Sequence, residues 1–143
     1  MPPSVVERRH PRGLLDTSVL IDLDRLDPSS LPLELAVSAI SLAELAAGPH
    51  ATRDARERAR RQDRLQRVEA MFEPLAFDRA CARAYGRIVA AVVAAGRKAR
   101  GARAVDLLIA AVALANDLPL YTQNAADFGA LEDLVEVVTP LRP

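Results

Sequence analysis

Short apolar segments that each lead directly into a helical pattern are the feature that most constrains the fold of this chain. Residues 13–15 lead into Asp16, and apolar residues then resume at helical spacing. Residues 35–40 repeat the arrangement before a helical stretch that stops at Gly48. Further strand candidates follow at residues 74–77, 118–121 and 135–138. Strands that alternate with helices predict an α/β domain with an open, mainly parallel central sheet.

Three longer segments have the periodicity of helices. Residues 51–72 carry acid–base pairs at the i,i+4 spacing that supports an exposed helix: Asp54/Arg58, Glu57/Arg61 and Asp63/Arg67. Residues 81–96 have apolar positions that recur about every four residues, as in an amphipathic helix. Residues 104–116 are apolar on nearly every face, so we expect this helix to pack between the sheet and other helices.

The length of 143 residues suits one domain with one core. Residues 1–12 contain three prolines and three arginines, which predicts a loosely ordered tail before a domain at residues 13–143. The single cysteine, Cys81, excludes an internal disulfide and fits a reducing compartment. No apolar run reaches the roughly 18 residues that span a bilayer, so we expect a cytoplasmic protein without membrane association.

Four acidic residues stand near the ends of strands or the starts of helices: Asp16, Glu44, Asp106 and Asp127. Each also has an ordinary structural explanation. Asp16 could end a strand, and Ser41-x-x-Glu44 has the spacing of a capping box. Asp106 could stabilise the first turn of its helix, and Asp127 could belong to a turn that begins at Asn124.

The four acids considered together favour a metal site. Parallel topology brings the junctions between strands and helices to one edge of the sheet, where ligands bind. Crowded carboxylates remain ionised at neutral pH only if a cation neutralises them, and a hard divalent ion prefers oxygen ligands. The chain has two histidines and one cysteine, which argues against a zinc site with nitrogen and sulfur ligands.

Four segments contain these acids within longer motifs: residues 14–22 (LLDTSVLID), 38–45 (SAISLAEL), 104–111 (AVDLLIAA) and 121–128 (YTQNAADF). They resemble the motifs of PIN domains, particularly the VapC toxins of bacterial VapBC toxin–antitoxin modules. The order and spacing of the segments match from about Gly13 to Val138, although members often carry Arg where this chain has Gln123.

The resemblance implies a PIN-like, flavodoxin-like three-layer α/β/α fold and a metal-dependent endoribonuclease that acts as the toxin of a type II toxin–antitoxin system. It also implies a homodimer and a VapB-like antitoxin that blocks the site. Asp16 and Asp106 would be the principal ligands of Mg2+ or Mn2+, and Glu44 and Asp127 would complete the catalytic pocket. Three further residues would support the site by hydrogen bonding: Thr17, Ser18 and Asn124.

The 19 basic and 19 acidic residues leave no net charge to attract RNA, so any surface that attracts RNA must be locally basic. Two basic segments could form such a surface. One is a segment without acids that leads toward Asp106: Arg97, Lys98, Arg100 and Arg103. Its cations could bind phosphate or cap the preceding helix. The other is the helix face from Arg53 to Arg67, where the accompanying acids favour a solvated or partner-facing surface.

Two other functions compete with this interpretation. A phosphatase of the haloacid dehalogenase type would need a second aspartate two residues after Asp16, but Ser18 occupies that position and no obvious catalytic lysine follows. The alternative from another class is a non-catalytic RNA-binding or interaction module with a PIN fold. The presence of all four acids argues against it.

Overall fold

A parallel sheet lies at the centre of the computed structural model, which describes residues 9–97 and 102–143. Its four strands are β1 (Arg12–Leu15), β2 (Glu34–Val37), β3 (Leu120–Tyr121) and β4 (Val137–Val138). They pair in the order β2-β1-β3-β4, and every pair is parallel. This order is the beginning of a flavodoxin-like sheet, and it confirms the predicted mainly parallel α/β class.

Helices connect the strands and cover both faces of the sheet. They are α1 (Thr17–Ile21), α2 (Ala39–Ala47), α3 (Ala55–Met71), α4 (Arg79–Ala94) and α5 (Ala102–Ala115). Short 3₁₀ turns occupy Leu23–Arg25, Pro28–Ser30, Gly48–Ala51 and Ala125–Leu131. Among the described residues, none of these helices has the length and apolar character needed to cross a membrane.

Alternate strand residues point to opposite faces of the sheet, as the two-residue period of a strand requires. One face packs against α4 and α5 through Leu14, Ala36 and Leu120, which are partners in the strand register. The other face packs against α1, α2 and α3 through Leu15, Val37 and Tyr121. The result is the predicted three-layer α/β/α arrangement.

The third strand candidate, residues 74–77, is wrong as a strand. Only Leu75 pairs with the sheet, where its N–H donates to Val37 O and its carbonyl accepts from Ala39 N, both at 2.8 Å. Pro74 has no N–H to continue a ladder. The segment therefore crosses the end of β2 as a single bridge between α3 and α4.

The start of α3 also differs from the prediction. Residues 48–51 form a 3₁₀ turn, and α3 begins at Ala55 with the Asp54 carboxylate accepting from Arg56 N at 2.9 Å. Asp54 therefore caps the helix, while Arg58 donates to the carbonyls of Pro49 and Thr52. The other two predicted pairs on this helix are present, Glu57–Arg61 at 3.0 Å and Asp63–Arg67 at 3.4 Å.

The predicted tail falls partly outside the described residues, because residues 1–8 are not among them. Of the remainder, Arg9 donates to the carbonyls of Leu31 and Pro28, and His10 Nε2 lies 3.1 Å from Glu136 Oε1. Strand β1 already includes Arg12.

Gly13 is required by the close approach of two side chains on neighbouring segments. A Cβ at this position would lie 2.5 Å from Tyr121 Cε1 and 2.9 Å from Pro32 Cγ. We expect Gly13→Ala to lower the free energy of unfolding by about 1–3 kcal/mol, since the core must shift to admit the methyl group. The matched control is Gly86→Ala in α4, where the added Cβ meets nothing within 4 Å.

Gly86→Ala should instead stabilise the chain by up to about 1 kcal/mol, because alanine is the better helix former. Urea denaturation of both variants gives the comparison. Equal stabilities for Gly13→Ala and the wild type would contradict the packing of Tyr121 against β1.

Candidate active site

Three polar residues directly follow the three adjacent strands β2, β1 and β3 at the carboxyl edge of the sheet: Ser38, Asp16 and Thr122. Together with Ser41 they are the buried polar or charged residues of the part of the chain that the structure describes, and Asp16 is only 3% exposed. The chain continues from β1 to β2 on one side, whereas β3 lies on the other side of β1. Such a switch point is where open α/β sheets bind ligands.

Asp16 is held by three hydrogen bonds that fix the orientation of its carboxylate. Oδ1 accepts from Thr17 N at 2.7 Å, which makes Asp16 the N-cap of α1. Oδ2 accepts from Thr122 Oγ1 at 2.7 Å and from Ser18 Oγ at 3.1 Å. A carboxylate offers about four acceptor positions, so roughly one remains for a further partner.

Thr17 links this carboxylate to α2. Its Oγ1 lies 2.5 Å from Glu44 Oε1 and 2.9 Å from Ser41 Oγ. A hydroxyl has a single proton, which the acceptor-only carboxylate of Glu44 receives. Asp16, Thr17, Ser18 and Glu44 therefore belong to one hydrogen-bonded group.

Glu44 does not have the capping role that its spacing from Ser41 suggested. Helix α2 begins at Ala39, and Ser38 is its N-cap, with Oγ accepting from Ser41 N at 3.0 Å. Glu44 is thus in the middle of the helix, half-buried, and its carboxylate is directed to Thr17. The capping interpretation of Glu44 is wrong, which removes the ordinary explanation for an acid at this position.

The ordinary explanation for Asp106 fails in a similar way. Helix α5 begins at Ala102 and has no acidic residue in its first turn, so Asp106 lies in the second turn. Interaction with a helix macrodipole falls off within the first turn. Stabilisation of the helix start therefore does not explain why a half-buried acid lies at position 106.

Asp127 and Asn124 lie on the segment that follows β3. Asp127 is exposed in the first turn of the 3₁₀ segment Ala125–Leu131, and its N–H donates to Asn124 O at 3.0 Å. Asn124 is exposed as well, and its N–H donates to Thr122 Oγ1 at 3.0 Å. Thr122 thus joins this segment to Asp16, since its hydroxyl donates to that carboxylate.

Residues 13–133 match the family described as PIN domain, and this range includes all four predicted catalytic acids. The chain belongs to the PIN domain family. Ribonuclease VapC5 of Mycobacterium tuberculosis is 38% identical over 128 residues, which are 87% of this chain and 91% of that protein. Plasmid stability protein StbB of Pseudomonas syringae pv. tomato is 33% identical over 133 residues, 82% of this chain and 91% of that protein.

A solved structure of the VapBC-5 toxin–antitoxin system from Mycobacterium tuberculosis has a chain with the same fold as this PIN domain. The TM-score is 0.78 at 37% sequence identity, and the match covers 93% of this chain and 99% of that chain. The two chains thus share one fold over almost the full length of both.

The oxygen donors at the carboxyl edge suit a hard divalent cation, which PIN nucleases are expected to need. Within residues 9–97 and 102–143, no three histidine, cysteine, aspartate or glutamate side chains form a group that could hold a metal ion. Mg2+ is commonly bound through only one or two carboxylates with water in the remaining positions. The remaining acceptor position of Asp16 and the half-buried Asp106 are compatible with that mode.

Gln123 is part of a polar contact that the sequence did not predict. Its Nε2 donates to Ser18 O at 2.7 Å and to Asp22 Oδ2 at 3.0 Å. Arg142, near the carboxyl terminus, donates to Asp22 Oδ2 at 2.9 Å and to Gln123 Oε1 at 3.3 Å. An arginine from a distant segment therefore reaches the edge of this site.

These contacts influence the ionisation of Asp22. The hydrogen bond from Gln123 has the largest effect and lowers the pKa of Asp22; burial opposes it, and the positive charge of Arg142 lowers the pKa further by a smaller amount. A carboxyl group whose pKa is lower in the folded chain stabilises it above its ordinary pKa and loses that contribution as the pH falls. The contact between Arg142 and Asp22 is thus present at neutral pH.

The predicted basic segment lies largely outside the described part of the chain. Arg97 is exposed after α4, and its N–H donates to Val92 O at 3.0 Å. Lys98 and Arg100 are not described, and Arg103 is described only as a backbone position in α5. RNA binding by these residues therefore stays a prediction, with capping of the preceding helix as the alternative.

Sequence reasoning missed four polar residues at this edge: Ser38, Thr122, Gln123 and Arg142. A signal existed for Ser38 and Thr122, because each directly follows an apolar strand segment, as Asp16 does. The role of Arg142 rests on a contact across 120 residues of sequence, which no local pattern reveals.

Proposed function

We propose that this chain is the toxin of a type II toxin–antitoxin system and hydrolyses RNA phosphodiester bonds as a metal-dependent endoribonuclease. The observation that carries the proposal is the buried carboxylate of Asp16, which is fixed at the switch point beside Glu44 and Thr17. Similarity over most of the chain to a protein named as a ribonuclease supports RNA as the substrate.

The proposed ligands of the metal are Asp16 and Asp106, with Glu44 and Asp127 completing the pocket directly or through water. Mg2+ or Mn2+, when bound, lowers the pKa of water and stabilises charge on the phosphoryl oxygens. The protein residues position these groups. Thr17, Ser18 and Thr122 hold the Asp16 carboxylate, and Thr17 also orients Glu44.

The proposed macromolecular partners are the RNA substrate, a VapB-like antitoxin and a second copy of the chain. The solved relative is a member of the VapBC family of toxin–antitoxin systems, which supports an antitoxin partner for this chain. A pocket lined by carboxylates would accept an inserted arginine or lysine of the antitoxin, because hydrogen bonds between ions are strong. Co-expression of the antitoxin should therefore suppress growth inhibition.

An RNA cleavage assay distinguishes the proposed enzyme from a non-catalytic RNA-binding module with the same fold. We expect purified wild-type chain to cleave single-stranded RNA with Mg2+ or Mn2+ and to lose that activity in EDTA. Addition of excess Mg2+ to the EDTA sample should restore cleavage. Binding of RNA without cleavage under all metal conditions would support the non-catalytic module instead.

A further inference from the structure

A groove between α2 and α3 lies beside the candidate active site. It has a volume of about 310 Å³, and residues of the site and of the arginine-rich helix line it together: Thr17, Glu44, Glu57, Arg61 and Arg64. Thr17 and Glu44 are hydrogen-bonded to one another in the candidate site. The basic face of α3 is thus continuous with the proposed catalytic pocket. The position of α3 along the sequence did not indicate this proximity.

Most arginines that flank this groove are engaged by other groups. Arg61 donates to Glu57 Oε1 at 3.0 Å and to Gly48 O at 2.9 Å, so it holds α3 against the end of α2. Arg60 donates to the other oxygen of Glu57 at 3.0 Å. Arg67 lies 3.4 Å from Asp63 and 3.7 Å from Asp24.

Arg64 differs from these neighbours. It is half-buried and lines the groove, and it forms no hydrogen bond or ion pair with any residue in the ranges 9–97 and 102–143. Asp22 pairs with Arg142 and Asp24 with Arg67, and Arg64 contributes the smallest of the effects that lower the pKa of Asp22. Glu57 is likewise balanced by Arg60 and Arg61. The guanidinium of Arg64 therefore lies in the same groove as Glu44 and has no hydrogen-bonded acid among the described residues.

We propose that Arg64 binds a backbone phosphate of the RNA and places the strand in the groove between α2 and α3. This proposal rests on the proposed ribonuclease function. A polyanion that approaches a carboxylate-lined pocket is repelled, and a nearby uncommitted cation offsets that repulsion. A guanidinium suits the task because its planar donors match two phosphate oxygens. Such a contact fixes the register of the strand and carries no base preference.

The test measures binding of a single-stranded RNA oligonucleotide over a salt series, in an Asp106→Asn background that prevents cleavage. We expect Arg64→Gln to raise Kd about fivefold near 0.1 M salt, as one partly exposed ion pair would supply. The slope of log affinity against log salt should decrease in magnitude by about 0.7, the contribution of one phosphate contact on a single strand. Arg64→Lys, which keeps the charge, should retain that slope.

The matched control is Arg87→Gln, an exposed arginine of α4, which packs on the opposite face of the sheet from α3. This variant removes the same charge and should change Kd less than twofold, because a solvent-exposed charge contributes little free energy to an ion pair. Thermal unfolding of each variant establishes that α3 remains folded.

Equal Kd values and salt slopes for Arg64→Gln and Arg87→Gln, in a parent that binds RNA, would overturn the role of Arg64. Unchanged RNA binding with weakened antitoxin binding would also overturn it and would assign Arg64 to a protein interface. Neither result affects the ribonuclease proposal, which fails separately if the wild-type chain does not cleave RNA with Mg2+ or Mn2+.

Discussion

Asp106→Asn is expected to reduce the rate of RNA cleavage by about a thousandfold, with the stability of the chain close to that of the wild type. Asp106 is half-buried in the second turn of α5, beyond the turn where a carboxylate stabilises the helix start. The asparagine side chain has the same shape but no charge with which to hold a divalent ion. A thousandfold decrease corresponds to about 4 kcal/mol of lost transition-state stabilisation.

The control for Asp106→Asn is Asp117→Asn, which removes the same charge on the amino-terminal side of β3. Asp117 is exposed and has a φ of 52°, a conformation that asparagine tolerates well. We expect wild-type cleavage for this variant. Single-turnover assays with excess Mn2+ compare the two variants, and equal rates would remove Asp106 from the proposed site.

Asp16→Ala is expected to lose both cleavage and about 3 kcal/mol of stability. The alanine removes the acceptor for three donors in a site that is 3% exposed: Thr17 N, Ser18 Oγ and Thr122 Oγ1. A buried donor left without a partner costs about 1–3 kcal/mol, and loss of an N-cap costs about 1 kcal/mol. Urea denaturation and RNA cleavage measured on the same preparation separate the two effects.

Asp16→Asn isolates the chemical role of the same residue. Its amide oxygen can still accept from Thr17 N, and its amide N–H groups can donate to the hydroxyls of Ser18 and Thr122, which accept as well as donate. We therefore expect stability within about 1 kcal/mol of the wild type and no detectable cleavage. Cleavage at the wild-type rate by Asp16→Asn would contradict the assignment of the metal site.

The strands and helices with strong local patterns could be predicted from the sequence. The apolar run before Asp16 became β1, and the apolar segment 104–116 became most of the buried helix α5; of the predicted run 35–40, residues 35–37 belong to β2, and α2 begins already at Ala39. Residues 74–77 failed because a strand is defined by pairing with a distant segment, and only Leu75 finds partners beside β2. Apolar composition alone does not contain that information.

The location of Asp16 at the carboxyl edge of the sheet could be predicted, because it depends only on position along the chain. Asp16 follows a strand, and parallel topology alone brings such positions to one edge. The orientation of Glu44 toward Thr17 and the contact of Arg142 with Asp22 and Gln123 depend on how separate elements pack. Such contacts between distant segments have no periodic signature.

RNA cleavage by the wild-type chain in ¹⁸O-labelled water tests most directly whether a metal-dependent hydrolysis takes place at this site. Mass spectrometry of the product ends after a single turnover with Mg2+ should find one ¹⁸O atom in each newly formed phosphate end. The matched reaction in EDTA should give no product. Cyclic 2′,3′-phosphate ends without ¹⁸O, or equal cleavage in EDTA, would contradict the account, because the ribose 2′-hydroxyl or a metal-independent mechanism would then cleave the strand.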